Sequence, residues 1–467
     1  MRFWVLAIVL TGVVSAGAEA SVLGLFQSLL DSIKAFESQE DESESQEDES
    51  NDGGSETDPG GSDPGGSDSG GSDSGGDDVG ASGYEECMAS VAGSYDTRCM
   101  LTALIDEIVM PNYVDLANHG ATFSSQDGPL GNYCSAISTG QEESAFSSAE
   151  SAYKELVKAV QRVEMHAIGP AADNSFSLQY RLNSYMAGPI STCGIDSIAA
   201  SSNVDISARP SSTRGIRALD YLLFNTDLDH TCAQQVTATK GWNDLTQSER
   251  KSLRCDAAML VASDLESAAS SILKAWQKTD GNYRAEFLEE SNTFLSLQAT
   301  TDSMFYLEKG TKDAKVGMPL GIIAACPNLT CPDFVEAPYS GNSLQNVITN
   351  LEIWSEMFSS NSQTGFDAHI ENEGWPEVSQ EFKSNLIRAL DLANSIDESI
   401  ASQVSSIQSE SQETECTNAF SNPDTTSDNL PLCTLYGLLK RIVDSLKIDF
   451  VTIVNVEIPG GSQSDND

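Results

Sequence analysis

Apolar residues recur at helical spacing along almost the whole chain from residue 84 onward, and that periodicity restricts it to an all-α fold built of helical bundles. Leu101, Leu104, Ile105 and Ile108 share one face, with Pro111 expected to kink or end that helix. Tyr153, Leu156, Val157, Val160 and Val163 make a second face, stopped by Gly169-Pro170. Leu253, Ala257, Leu260, Leu265, Ala268, Ile272 and Trp276 mark a long third helix. Further faces run from Leu344 to Phe358, from Phe382 through Ile396 to Val404, and from Leu435 to Leu446. Alternating patterns are nearly absent, and the tail Val451 to Ile458 is the one fair strand candidate.

The first part of the chain follows different rules. Arg2, the apolar run Phe3 to Leu10 and the small residues ending Ala18-Glu19-Ala20 read as an export signal over residues 1–20. Residues 21–35 form a short amphipathic segment with Val22, Leu25, Phe26, Leu29, Leu30 and Ile33 on one face. Residues 36–83 repeat ESQEDES and then GGSD, a composition that cannot bury enough apolar area to order itself, so a disordered acidic linker is expected. The helical domain is expected over residues 84–460, with a disordered tail at 461–467.

The 467 residues include 70 Asp and Glu against 25 Lys and Arg, a net charge of −45. Only 16 of those acids lie in the linker, so the helical part is acidic in its own right. Such a chain has no counterions to release from a nucleic acid, which is excluded as a partner. No later stretch is long and apolar enough to span a bilayer, and the expected location is extracytoplasmic: periplasm, cell envelope or secreted.

Ten cysteines behind an export signal point to five disulfides, because the compartment is oxidising and no C-x-x-C spacing occurs. Spacing suggests Cys326–Cys331 and Cys416–Cys433, with Cys87–Cys99 as a third pair; the remaining four cannot be paired from sequence. Asn328-Leu329-Thr330 is a glycosylation sequon in a eukaryotic host.

Ser212 to Phe224 differs from the other helices in leaving little polar face, which suits an element surrounded by others. Arg214, Arg217 and Asp220 fall three apart and should share one stripe. Two readings stay open: an Arg217–Asp220 ion pair pinning helices together, or a polar pocket between bundles.

At these residues the chain resembles the imelysin-like family, which includes imelysin peptidases and iron-regulated envelope proteins. Arg214-Gly215-Ile216-Arg217-Ala218-Leu219-Asp220-Tyr221-Leu222-Leu223-Phe224 is similar to the family's R-G-x-x-A-L-E-Y-L-L-F stretch. Ile108-Val109-Met110-Pro111-Asn112-Tyr113, Ile168-Gly169-Pro170, Gly317-Met318-Pro319-Leu320-Gly321 and the Leu435-Tyr436 helix follow in the family's order over roughly residues 95–455. The resemblance implies two packed helical bundles with a site at their junction. Its ligand-binding candidates here are Arg214, Gly215, Arg217, Asp220, Glu164 and His166.

The family's metal motif, G-x-H-x-x-E, falls on Gly215, Arg217 and Asp220. A guanidinium has no lone pair for a cation, so Asp220 remains as a weak metal candidate, and a metal cofactor is possible but not supported. An arginine there can instead fill the cation's place or bind a carboxylate or phosphate. His166 is expected at the surface of a helix end unless the Gly169-Pro170 turn carries it to the pocket. His119, His230 and His369 complete no zinc pattern, and Asp227, Asp229 and His230 fit an ordinary solvated loop. The favoured function is an exported, non-catalytic binding protein associated with iron or other metal acquisition. Its partner would be a small ligand, a metal complex or an envelope protein. A metal-dependent peptidase and a surface scaffold are the alternatives, and no catalytic residue is assigned.

Overall fold

The computed structural model describes residues 82–91, 94–360 and 364–463. The expectations for residues 1–20, 21–35 and the linker up to residue 81 lie outside these, as do residues 464–467 of the tail. Among the described residues every regular element is a helix, and no described helix is long and apolar enough to cross a membrane.

In the first bundle, α1 (Ser82–Ser90) and α2 (Thr97–Leu104) lead into the long pair α3 (Met110–Ser124) and α5 (Glu142–Val163), with the short α4 (Pro129–Ala136) against α5. Two shorter helices, α6 (Thr192–Ala199) and α7 (Gly215–Phe224), then pack on α8 (Gln247–Trp276), which also lies along α3. Thr246 and Glu249 close a capping box at the start of α8: Glu249 N donates to Thr246 Oγ1 at 3.3 Å and Thr246 N to Glu249 Oε2 at 2.8 Å. After α9 (Thr293–Met304), the second bundle is made of α10 (Ser343–Phe358), α11 (Pro376–Ser395), α12 (Glu410–Ser421) and α13 (Pro431–Ser445). Helix α13 packs on α11 and α12, while α10 touches both α11 and, across the junction, α5. Most of the residues on the faces read from the sequence are buried, with Tyr153, Leu156, Val160, Leu351, Trp354, Leu435 and Leu439 fully enclosed, but Leu260 on the third face is exposed.

Pro111 neither ends nor breaks its helix. Residues Ile105–Val109 widen into a π-helical turn, and α3 continues through Met110-Pro111. A proline lacks the amide for the i−4 bond and its ring crowds that carbonyl, so a wider turn just before it relieves both problems. The same arrangement precedes Pro319, where Leu307–Gly317 is π-helical before Met318–Leu320. The expected helix through Phe382, Ile396 and Val404 is two, since α11 ends at Ser395 and a new helix starts at Ile400.

The tail also departs from its reading as a strand. Val451–Val454 is helical, following a π-helical turn at Leu446–Phe450. Beyond it, Glu457 finds no neighbouring strand; its amide and carbonyl pair with the side-chain amide of Gln298 at 2.8 and 2.9 Å. Isolated β-pattern residues without a partner edge cannot form a ladder.

All ten cysteines are bridged: Cys87–Cys99, Cys134–Cys255, Cys193–Cys232, Cys326–Cys331 and Cys416–Cys433. Cys134–Cys255 ties α4 to α8 across a sequence separation of 121, against 5 for Cys326–Cys331. The chain-entropy relation assigns about 5 kcal/mol to the longer loop and about 2 kcal/mol to the shorter. Paired Cys→Ser replacement of Cys134 and Cys255 should therefore lower the urea midpoint more than replacement of Cys326 and Cys331. Equal losses would show that chain entropy does not set the order.

Candidate functional site

The junction is organised by the start of α7. Gly215 has φ +70°, and a Cβ there would stand 2.6 Å from the carbonyl oxygen of Leu182, so only glycine lets α7 begin against that backbone. Arg214 is the extended N-cap residue, which takes it off the helical stripe expected to hold Arg214, Arg217 and Asp220 together. Its guanidinium instead makes a forked pair with Asp264 of α8, Nε to Oδ2 at 2.8 Å and Nη2 to Oδ1 at 2.5 Å. Arg181 shares Oδ1 of the same carboxylate, donating from Nε at 3.1 Å and Nη2 at 2.8 Å. Arg214 is thus a brace between α7 and α8.

Arg217 and Asp220 face the junction but form no ion pair with each other. Arg217 donates Nη1 to the carbonyl of Gly188 at 2.8 Å and Nε to that of Glu336 at 3.4 Å, with its guanidinium 4.9 Å from the Tyr185 ring centroid. Asp220 accepts from the backbone amides of Tyr339 and Ser340 at 3.2 and 3.1 Å, and from Tyr153 Oη at 3.4 Å. Burial raises the Asp220 carboxyl against the pull of those donors, and burial lowers Arg217 despite Tyr185 and the nearby carboxylates. The space between them, lined by Tyr153, Ile216, Arg217, Asp220 and Glu336, is about 10 Å³. That is room for one water, not for a ligand.

Two residues that the sequence did not single out, Lys315 and Glu336, hold the centre. Lys315 Nζ lies 2.6 Å from Glu164 Oε2, 2.8 Å from Asn350 Oδ1 and 3.4 Å from Glu336 Oε2, and it also donates to Gln161 Oε1. Asn183 Nδ2 bridges Glu164 and Glu336 at 2.6 and 2.8 Å, and Asn346 Nδ2 reaches Glu336 at 2.8 Å. Burial raises the Glu164 carboxyl. For Glu336 the burial penalty is outweighed by Lys315 and the amides of Asn346, Asn183 and Gln161, which hold it below the usual carboxylate range. Lys315 sits in a run with Glu308, Lys309, Lys312 and Asp313, where nothing local marks one charged residue as buried. The available signal was its place just before Gly317-Met318-Pro319.

Glu164 and His166 belong to one 3-10 turn but meet different partners, Glu164 the Lys315 ammonium and His166 the Asn112 amide. His166 is wholly buried, contrary to the surface position expected of a helix-terminal histidine, and its Nε2 meets Asn112 Nδ2 at 2.8 Å. Tyr113 Oη donates to its carbonyl. His166 therefore ties α3 to the turn. Asp229 pairs with Arg250, Asp227 accepts from the Asp229 amide, and His230 Nδ1 accepts from Cys232 N, an ordinary loop as expected.

The donor set does not fit the metal that the motif implies. Arg217 offers only N–H groups, both Asp220 oxygens face amide donors, and Glu164 and Glu336 are engaged by Lys315 and amides. Among the described residues, the group of His, Cys, Asp and Glu ligand atoms close enough for one ion is Cys87, Asp96 and Cys99, whose two sulfurs are bonded to each other.

Larger open space lies at the far end of α7. A cleft of about 810 Å³ is lined by Tyr133, Phe146, Leu222, Arg250, Lys251 and Asp227 among others.

Burial, with Arg162 adding to it, lowers His166 from 6.5 to about 3. Between those values the unfolded chain binds a proton that the folded chain refuses, so stability present above the unfolded value is lost as pH falls. Urea unfolding should show about 2 kcal/mol less stability at pH 5 than at pH 7 from this group alone. His166→Gln, which keeps an acceptor for Asn112, should remove that part of the difference. An unchanged acid slope in the variant would contradict the assignment.

The Imelysin (Peptidase M75) family model matches residues 109–424. The structure resembles an imelysin-like protein from Psychrobacter arcticum 273-4, with 17% identity and a TM-score of 0.55, over 78% of this chain and 98% of that one. It also resembles a protein from Parabacteroides distasonis ATCC 8503 assigned as an iron-regulated protein A precursor. There the identity is 15% and the TM-score 0.51, over 75% of this chain and 97% of the other. No curated protein matches. With two thirds of its length matched and two helical bundles meeting at the R-G-x-x-A-L stretch, the chain belongs to the imelysin family.

Proposed function

We propose that this chain is an exported, non-catalytic binding protein of the imelysin family, working at a cell envelope or surface in iron or other metal acquisition. The observation that carries the non-catalytic half is the donor set around Arg217. A metallopeptidase needs at least three ligands and an open position for activated water. Here a guanidinium stands at the motif's histidine position and the remaining space admits one water. Five disulfides and the apolar N-terminal run support an oxidising, extracytoplasmic location. The neighbour assigned as an iron-regulated protein A precursor supports the link to metal acquisition.

A small ligand or metal complex would dock in the cleft beside α7, whose volume of about 810 Å³ lies in the range of small-molecule sites. Tyr133, Phe146 and Leu222 supply apolar contact, and Arg250 and Lys251 supply donors. Titration with haem, ferric citrate and zinc, followed by absorbance and calorimetry, should find one that binds. Arg250→Ala should weaken binding of haem or ferric citrate, whose carboxylates a guanidinium can meet, and Asp220→Asn should not. Absence of binding by all three would remove the acquisition reading. Casein hydrolysis by purified protein that disappears in Asp220→Asn would establish the peptidase instead.

A further inference from the structure

We propose that the inter-bundle junction is a hard-cation site whose cation is supplied by the chain itself, as the ammonium of Lys315, with Arg217 as a second built-in charge. The inference rests on the reading that the junction does not hold a metal, and the arms of the test separate the two.

The surroundings of Lys315 Nζ are those of a bound cation. Four side-chain oxygens converge on it, from Gln161, Glu164, Glu336 and Asn350, at 2.6, 2.8 and 3.4 Å for Glu164, Asn350 and Glu336. Hard cations are held by such mixed sets of carboxylate and amide oxygens. Both amides are oriented for the role. Gln161 turns Oε1 to the ammonium and Nε2 to Glu336 at 3.0 Å, while Asn350 turns Oδ1 to it and Nδ2 to the carbonyl of Gln161 at 2.8 Å. The ring centroid of Tyr306 lies 5.5 Å from Nζ, adding a further electron-rich face. Lys315 is 1% exposed, and Glu164 and Glu336 are 3% each, so bulk water does not compete for the shell.

Two buried carboxylates within reach of one Asn183 amide would repel each other without a positive charge between them. The ammonium meets that need without any ion from solution. Arg217 performs the parallel task beside Asp220 and the backbone of Glu336. Removing only the lysine side chain should therefore uncover an oxygen-lined vacancy with a demand for a small cation.

The test uses the full chain and thermal melts at matched ionic strength. Wild-type protein should melt at the same temperature with and without a chelator. Lys315→Ala should melt about 5–10 °C lower. Ammonium chloride should restore at least half of that loss, whereas tetramethylammonium chloride, too large for the shell, should restore none. A Lys315→Ala melt equal to the wild-type value, or a loss that ammonium does not repair any better than tetramethylammonium, would overturn the proposal.

If Lys315→Ala does not fold, Lys315→Met alone is compared with Lys315→Met plus Glu164→Gln, which removes one charge of each sign at nearly constant shape. The double variant should be the more stable of the two, and the opposite order would overturn the proposal. Stoichiometric metal in the wild-type protein, lost with its melting temperature on chelation, would overturn the metal-free reading as well. A metal-free wild type whose Lys315 variants ignore ammonium would overturn only the inference drawn here.

Discussion

Three carboxylates, Glu164, Asp220 and Glu336, are buried where the two bundles meet, and the packing of one bundle on the other depends on their compensation. Each ionised group taken from water costs several kcal/mol unless charge and hydrogen bonds replace its hydration. Here the replacements come from stretches far apart in sequence: Gln161, Asn183, Arg217, Lys315, the amides of Tyr339 and Ser340, and Asn346 and Asn350. No single bundle contains the set. A half-formed junction leaves charges unpaired, so the polar network favours complete docking over partial docking, and apolar contacts between α5 and α10 supply the non-directional remainder.

That dependence explains what could be read in the sequence and what could not. Helices are local, so the faces of α5, α8, α10 and α13 followed from spacing alone. The buried helix α7 followed from its lack of a polar face. Arg214 was misplaced because the i, i+3 rule holds only for residues with helical dihedrals, and Arg214 is the extended cap. Lys315 and Glu336 were missed for a different reason: nothing local distinguishes a buried lysine in a charged π-helix from a solvated one, or a buried glutamate in a proline-flanked loop from a surface one. Their burial is decided by what packs over them. The short-range pairs Cys326–Cys331 and Cys416–Cys433 were legible from spacing, whereas Cys134–Cys255 and Cys193–Cys232 depend on which helices and loops become neighbours.

The two π-helical segments before Met-Pro steps link local chemistry to this junction. Pro319 forces a wider turn upstream, and the resulting Leu307–Gly317 segment carries Glu308, Lys312 and Lys315 inward together. Glu308 is met by Lys309 and Lys447, and Lys312 by Asp313 at 2.6 Å, so the same segment ties the C-terminal helices into the second bundle. A proline that would ordinarily terminate a helix here fixes the register of three buried charged side chains.

The arginine at position 217 fits the same logic. A histidine supplies positive charge there only while a metal is bound or acid has protonated the ring; near neutral pH without metal it is uncharged. A guanidinium keeps its charge across the whole physiological range, stacks on Tyr185 and satisfies the carbonyls of Gly188 and Glu336. In a chain with a net charge of −45, the surrounding potential concentrates cations of every kind. An open carboxylate pair at the junction would be filled by whichever ion was most abundant. Covalent cations at positions 217 and 315 make the docking of the bundles independent of that supply, and they separate the integrity of the fold from the binding of any metal elsewhere on the protein.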